Sequence, residues 1–178
     1  MLTFLAIFTF FFFIATLIYI STMVVFFITK VPFISTPKKV QEKMLELAKI
    51  KPKDIVYDLG CGSGRLLVLA DKKYQARALG FEISPWPYFL ARLNIFLKKS
   101  QAKVLFKNFF KTDLSKADVI FCYLMPEINQ KLRPKLEKEL RPGARIISYA
   151  FSFHSWKPKM VSPKLGSNLA SIYLYQKA

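Results

Sequence analysis

The segment Asp58-Leu59-Gly60-Cys61-Gly62-Ser63-Gly64-Arg65 sets glycines at alternate positions behind an acid. Such residues can hold a nucleotide. A glycine lets the ligand approach the backbone, and the free N–H groups that open a following helix meet its polar parts. A second acid, Glu82, lies where a nucleotide-binding unit places the carboxylate that accepts hydrogen bonds from ribose hydroxyls. A dinucleotide fingerprint asks for a third small residue at position 65, and Arg65 stands there instead. The competing reading is an unrelated tight turn, with Glu82 as a capping or exposed carboxylate. The acid ahead of the glycines and the distance to Glu82 favour a cradle. Asp58, Gly60, Cys61, Gly62, Gly64 and Glu82 are the candidate cofactor contacts.

A cradle of this kind needs a strand before it and a helix after it. Ile55-Val56-Tyr57 reads as the strand, ended by Asp58, and Leu66, Leu67, Leu69 and Ala70 mark the buried face of the helix. Residues 76–81 form the second strand, which ends at Glu82. Ser84 then caps a helix whose first turn tolerates Pro85 and Pro87. Phe89, Leu90, Leu93, Phe96 and Leu97 are expected to be its buried stripe, core rather than binding surface. Further strands are expected at 102–106, 118–123, 144–150 and 169–175, with a short one at 159–162. A helix between the fourth and fifth strands should kink or break at Pro134. Upstream, Thr36 is placed to cap a helix with Pro37 at its first position, and Val40, Met44, Leu47 and Ala48 share one face. Alternating strands and helices predict an α/β, Rossmann-like sheet with helices on both faces.

Residues 1–29 carry no charged side chain. As a helix the run is about 42 Å long, enough to cross a hydrocarbon core of about 30 Å. A cleaved signal peptide would want a basic start and a shorter apolar core. The expected organisation is an anchor over 1–29, a connector over 30–36 and a domain over 37–178. Lys30, Lys38 and Lys39 flank only the C-terminal side, which predicts one span in the cell membrane with the domain in the cytoplasm. The formal charge of +17 falls entirely after residue 29. It suits an anionic partner, and Lys38, Lys39 and Lys43 are expected against anionic lipid. Cys61 and Cys122 lack the spacing of a metal cluster and read as reduced thiols.

Several stretches carry a specific resemblance. They are Val31-Pro32-Phe33-Ile34, Asp58–Arg65, Gly80–Trp86, Phe110–Ser115, Lys135–Leu140, Gly143–Ile147 and Phe151–Pro158. The glycine pattern resembles that of class I S-adenosylmethionine (SAM) methyltransferases. The full set is similar to the small membrane-anchored, seven-strand lysine methyltransferases of mitochondria and their prokaryotic relatives. The mitochondrial members modify the adenine nucleotide translocase and the c subunit of ATP synthase. The resemblance implies SAM as cofactor, an integral membrane protein as substrate and no specific nucleic acid. It also puts Asn108 where such enzymes usually place an acid for the adenine amine; Asn can accept that bond through its carbonyl. Phe109 or Phe110 then lies against the adenine or in the core. Tyr123-Leu124-Met125-Pro126-Glu127 follows the prokaryotic pattern more closely than the mitochondrial one.

Methyl transfer from a sulfonium is an in-line displacement that requires no metal. A lysine acceptor must be neutral, against an ordinary pKa of about 10.4. Desolvation beside a cation lowers that value, so no strong base need be present. Tyr123 and Glu127 are the leading candidates for orienting the amine, with Asn129, His154 and Trp156 behind them. Glu127 can instead serve its helix N-terminus, and Trp156 can simply pack. The rival functions are methylation of a lipid or quinone and binding or methylation of nucleic acid. Against the last, the Asn/Asp-Pro-Pro-aromatic motif of base-amine methyltransferases is absent after the fourth strand.

Overall fold

The computed structural model describes residues 2–29 and 34–178; Lys30 and the Val31–Phe33 part of the connector lie outside the described residues. An apolar helix α1 (Leu2–Thr29) comes first, then α2 (Lys38–Leu47). The sheet unit follows as β1 (Ile55–Leu59), α3 (Arg65–Tyr74), β2 (Arg77–Glu82), α4 (Pro85–Leu97) and β3 (Lys103–Phe106). A 3₁₀ turn at Phe109–Lys111 leads to β4 (Val119–Cys122), α5 (Pro126–Glu139), β5 (Arg145–Tyr149), β6 (Met160–Ser162) and β7 (Ile172–Gln176).

The seven strands form one sheet in the order β3-β2-β1-β4-β5-β7-β6. All neighbours up to β5 are parallel, and β7 pairs antiparallel with both β5 and β6. Strand order reverses between β1 and β4, which opens a crevice at their carboxyl ends. Alternation along each strand builds two cores. Val56, Phe121 and Ile147 pack with Val40, Met44, Leu67 and Ala70 on one face. Leu59, Ile120, Cys122 and Ile146 pack with Leu132 and Leu136 of α5 on the other. Central strands covered on both faces must be apolar throughout, and every residue of β4 is buried.

Three local expectations change. Pro37 is the N-cap of α2 rather than its first residue, and Thr36 makes no side-chain cap. The Pro37 carbonyl opens the helix by accepting from the N–H groups of Val40 and Gln41. Next, α5 runs from Pro126 to Glu139 straight through Pro134. The carbonyl that Pro134 leaves unpaired belongs to Gln130, which is exposed and so open to water.

The third change is larger. The stripe expected as the core of α4 faces outward: Phe89 is 51 % exposed, Leu93 41 %, Phe96 77 % and Leu97 64 %, and only Leu90 is half-buried. The buried residues of α4 are Pro87 and Ala91. Close packing of α3 decides this. A Cβ built on Gly64 would lie 3.1 Å from the Ala91 Cβ. Only the small-residue face of α4 fits against α3, so the bulky face must turn away.

Near the chain start, Lys38 pairs with Glu42 at 3.9 Å, Lys43 pairs with Glu46 at 3.0 Å, and Lys39 Nζ donates to the Leu165 carbonyl. Lys38 stays largely exposed beside its partner. Helix α1 holds a 23-residue stretch, Thr3–Val25, long and apolar enough to cross a membrane. Its C-terminal part leans on α4, where the Trp86 N–H donates to Thr22 Oγ1 at 3.3 Å.

Candidate active site

The carboxyl ends of β1, β2 and β4 open into a cleft of about 530 Å³. Asp58, near the end of β1, and Glu82, the last residue of β2, are both buried within it. Glu82 Oε2 accepts from the Gly62 N–H, and Oε1 accepts from Ile83 and Ser84, each at 2.9 Å. One carboxylate thus ties the glycine turn to the start of α4. Burial raises the Glu82 pKa and these N–H donors oppose the rise. Oε1 is filled by two donors, whereas Oε2, with one, keeps lone-pair capacity for a ligand hydroxyl.

Asp58 has no hydrogen-bond donor for its carboxylate among the described residues. Burial, and then the charge of Glu82, push its pKa up to about 7. The carboxylate faces the cleft, and a cationic ligand group there would favour its charged form. The thiol of Cys61 is held well above its ordinary value by burial, then by Asp58 and Glu82. It stays protonated and acts as a small apolar wall.

The turn between the two acids has its glycines at positive φ, 54° at Gly62 and 69° at Gly64. Gly64 is the N-cap of α3, and the first intrahelical bond runs from the Val68 N–H to its carbonyl. The preceding N–H groups of α3 have no intrahelical partner. The fit to a nucleotide-bearing cation is therefore chemical: an unpartnered carboxylate, free N–H groups and an acid with spare acceptor capacity share one cleft.

Asn108 lies on the cleft wall, exposed. Its Oδ1 accepts from the Phe110 N–H at 2.9 Å and caps the 3₁₀ turn. That turn sets Phe109 and Phe110 on the same wall, their ring centroids 4.7 Å apart. Of the residues considered for orienting an acceptor, Tyr123 lines the cleft. Its ring lies 4.8 Å from that of Tyr149, and burial followed by Tyr149 raises its phenol pKa.

The other four sit elsewhere. Glu127 is exposed in the first turn of α5, outside the cleft lining. Asn129 is fully buried behind the wall, where Nδ2 donates to the Phe151 carbonyl at 3.3 Å. His154 is exposed, and its carbonyl accepts from Arg133 at 2.7 Å. Trp156 packs on Phe153 and Tyr175, with centroids 5.6 and 5.2 Å away.

Sequence reasoning passed over three contributors. Gly80 is required for space, because a Cβ there would lie 2.5 Å from both Cys61 Sγ and Leu67 Cδ1. A glycine inside a strand is a signal of such close approach. Lys131 of α5 reaches the cleft rim, and the connector residues Ile34, Ser35 and Thr36 close one side of it. Neither has a local sequence signature.

This strand order, with its cleft at the switch point, defines a class I SAM-dependent methyltransferase. A solved structure described as an RNA methyltransferase from Salinibacter ruber with S-adenosyl-L-homocysteine superposes with a TM-score of 0.77. It is 35 % identical and covers 80 % of this chain and 93 % of its own. Residues 58–160 match the ANTKMT methyltransferase domain, and the chain belongs to that family. A protein-lysine N-methyltransferase of Saccharolobus islandicus is 40 % identical over 84 % of this chain and 95 % of its own length. The adenine nucleotide translocase lysine N-methyltransferase of Mus musculus is 33 % identical over 74 % of this chain. The matched region spans 58 % of that mouse protein.

Proposed function

We propose that this chain is a membrane-anchored protein-lysine N-methyltransferase whose substrate is an integral membrane protein. The observation that carries the lysine assignment is the 40 % identity to the Saccharolobus enzyme across nearly its whole length. The membrane assignment draws on the apolar α1. It also draws on mammalian relatives named for the adenine nucleotide translocase and the c subunit of ATP synthase. In this reading residues 1–29 are a single span of the cell membrane, 30–36 a connector and 37–178 a cytoplasmic domain.

SAM, when bound, supplies a methyl group on a sulfonium. The chain's own residues hold, orient and desolvate. Asp58 meets the cationic end of the cofactor. The backbone of Gly60, Cys61, Gly62 and Gly64 follows its length, and Glu82 accepts from the ribose hydroxyls. Asn108, whose Oδ1 already caps the 3₁₀ turn, borders the adenine beside Phe109. The acceptor enters past Tyr123. Within the cleft a lysine loses water and meets a cationic cofactor, both of which disfavour its charged form. Tyr123 Oη then orients the neutral amine, and alignment lowers the barrier by several kcal/mol. A tethered enzyme searches a thin layer beside the bilayer, which raises the effective concentration of lysines held there.

RNA methylation is the second reading, favoured by the description of the Salinibacter protein and the +17 charge. Isolated membranes carrying the full chain, incubated with methyl-labelled SAM, should yield label in protein, recovered as methyl-lysine after hydrolysis. Label confined to RNA would establish the second reading. Label confined to the lipid or quinone fraction would make the acceptor a small molecule.

A further inference from the structure

Among the described residues, the outer face of α4 is exposed apart from its contact with the C-terminal part of α1. Trp86, Phe89, Leu93, Phe96 and Leu97 recur at intervals of three and four residues and so form one stripe opposite Ala91. Trp86 stacks on Phe89 with ring centroids 5.9 Å apart, and exposed Phe106 extends the patch beside Tyr88. Arg92, Lys98 and Lys99 are exposed on the same helix and at its end. Aromatic and aliphatic groups on one side with cations at the flank are the composition of a helix that lies in a membrane interface.

The contact with α1 fixes the level of this stripe. The Trp86 N–H bonds to Thr22, inside the apolar stretch Thr3–Val25. Val25 is three residues further on, about 4.5 Å along the helix axis. The first turn of α4 is thus level with the cytoplasmic end of the span, where aromatic side chains are favoured. Both helices carry exposed apolar residues near this contact, Ile20 and Val24 on α1 and Trp86 and Phe89 on α4.

We propose that the outer face of α4 lies in the headgroup–acyl boundary of the bilayer that α1 enters. Lipid is the occupant because the stripe adjoins the span and carries cations suited to anionic headgroups. A protein partner would first have to displace that lipid. Ser84 and Pro87, at the start of α4, also line the cofactor cleft. Docking of α4 therefore holds the cleft mouth at the membrane surface, within reach of a side chain emerging from a neighbouring span. The inference rests on α1 being a membrane anchor and is independent of the methyl acceptor.

The test uses the full chain with Trp156→Phe, which leaves Trp86 as its single tryptophan. It is reconstituted in vesicles of phosphatidylcholine and phosphatidylglycerol, with or without bromine on the upper acyl carbons. Trp86 fluorescence should fall about twofold with brominated lipid and resist aqueous iodide, as expected of a ring at the interface. The Trp86→Phe chain with Trp156 retained gives the same signal by difference if the first variant misfolds. Moving the probe to the far end of α4, with Phe96→Trp on a Trp86→Phe and Trp156→Phe background, should give the same pattern. Extraction with alkaline carbonate reports α1 separately. A chain that resists extraction while Trp86 is quenched by iodide and not by bromine overturns the docking of α4 alone. Protection from both quenchers means that protein covers the face, and also overturns it. Release by carbonate removes the anchor and the docking together.

Discussion

The two halves of the sheet's carboxyl edge follow different rules. At β1 and β2 the cleft takes its shape from the backbone. Gly62 and Gly64 take positive φ, the N–H groups of Gly62, Ile83 and Ser84 converge on Glu82, and Asp58 faces the cleft. Spacing in the chain is enough to encode this, because each group lies within a few residues of a strand end. At β4 the cleft is lined instead by side chains, Tyr123 and Leu124 after the strand and Ile128 and Lys131 on α5, and no described residue after β5 lines it. There Tyr123 reaches the cleft while Glu127, His154 and Trp156 do not, although all follow a strand end. A side chain's direction depends on what packs behind it, and that is not local information.

Substitutions separate the two halves of the cleft. Gly62→Val puts a branched side chain at φ 54° beside Glu82 and should weaken SAM binding about 100-fold or more, read by calorimetry. An unchanged dissociation constant would remove the cradle assignment. Gly80→Ala forces a Cβ against Cys61 Sγ and Leu67 Cδ1 and should cost about 1–3 kcal/mol of stability, read by denaturant melts.

Asp58 makes the cofactor half pH-sensitive. With its pKa near 7, the carboxylate that attracts a cation is lost as pH falls, so SAM affinity should drop about tenfold per pH unit below that point. Asp58→Asn should bind weakly and flatten the profile. The sign for folding is opposite. The folded protein holds this proton more tightly than the unfolded chain, whose carboxyl has the ordinary value of 3.8. Asp58 therefore favours the ligand-free fold fully below that value. The contribution is lost as pH rises through about 7, and thermal melts without SAM should show it.

On the acceptor half the effects are smaller and selective. Tyr123→Phe should lower kcat about tenfold with SAM affinity kept, as expected for one orienting hydrogen bond. Glu127→Gln, outside the cleft, should change either quantity less than about twofold. Equal losses from the two variants would restore Glu127 to the site and erase the distinction between the halves.

The amino-acid sequence by itself determined the order of strands and helices, the acid–glycine cradle, the second acid and the apolar run at the start. Each is written in neighbouring residues, through period, turn chemistry and the absence of charge. Tertiary structure alone decided which face of α4 is core. Its large residues have the period of a buried stripe, but the contact between Gly64 and Ala91 turns them outward. It likewise set Tyr123 rather than Glu127 on the cleft lining and left no room for a Cβ at Gly80. In each case the deciding atom lies on a different element, and only folding brings it within van der Waals reach.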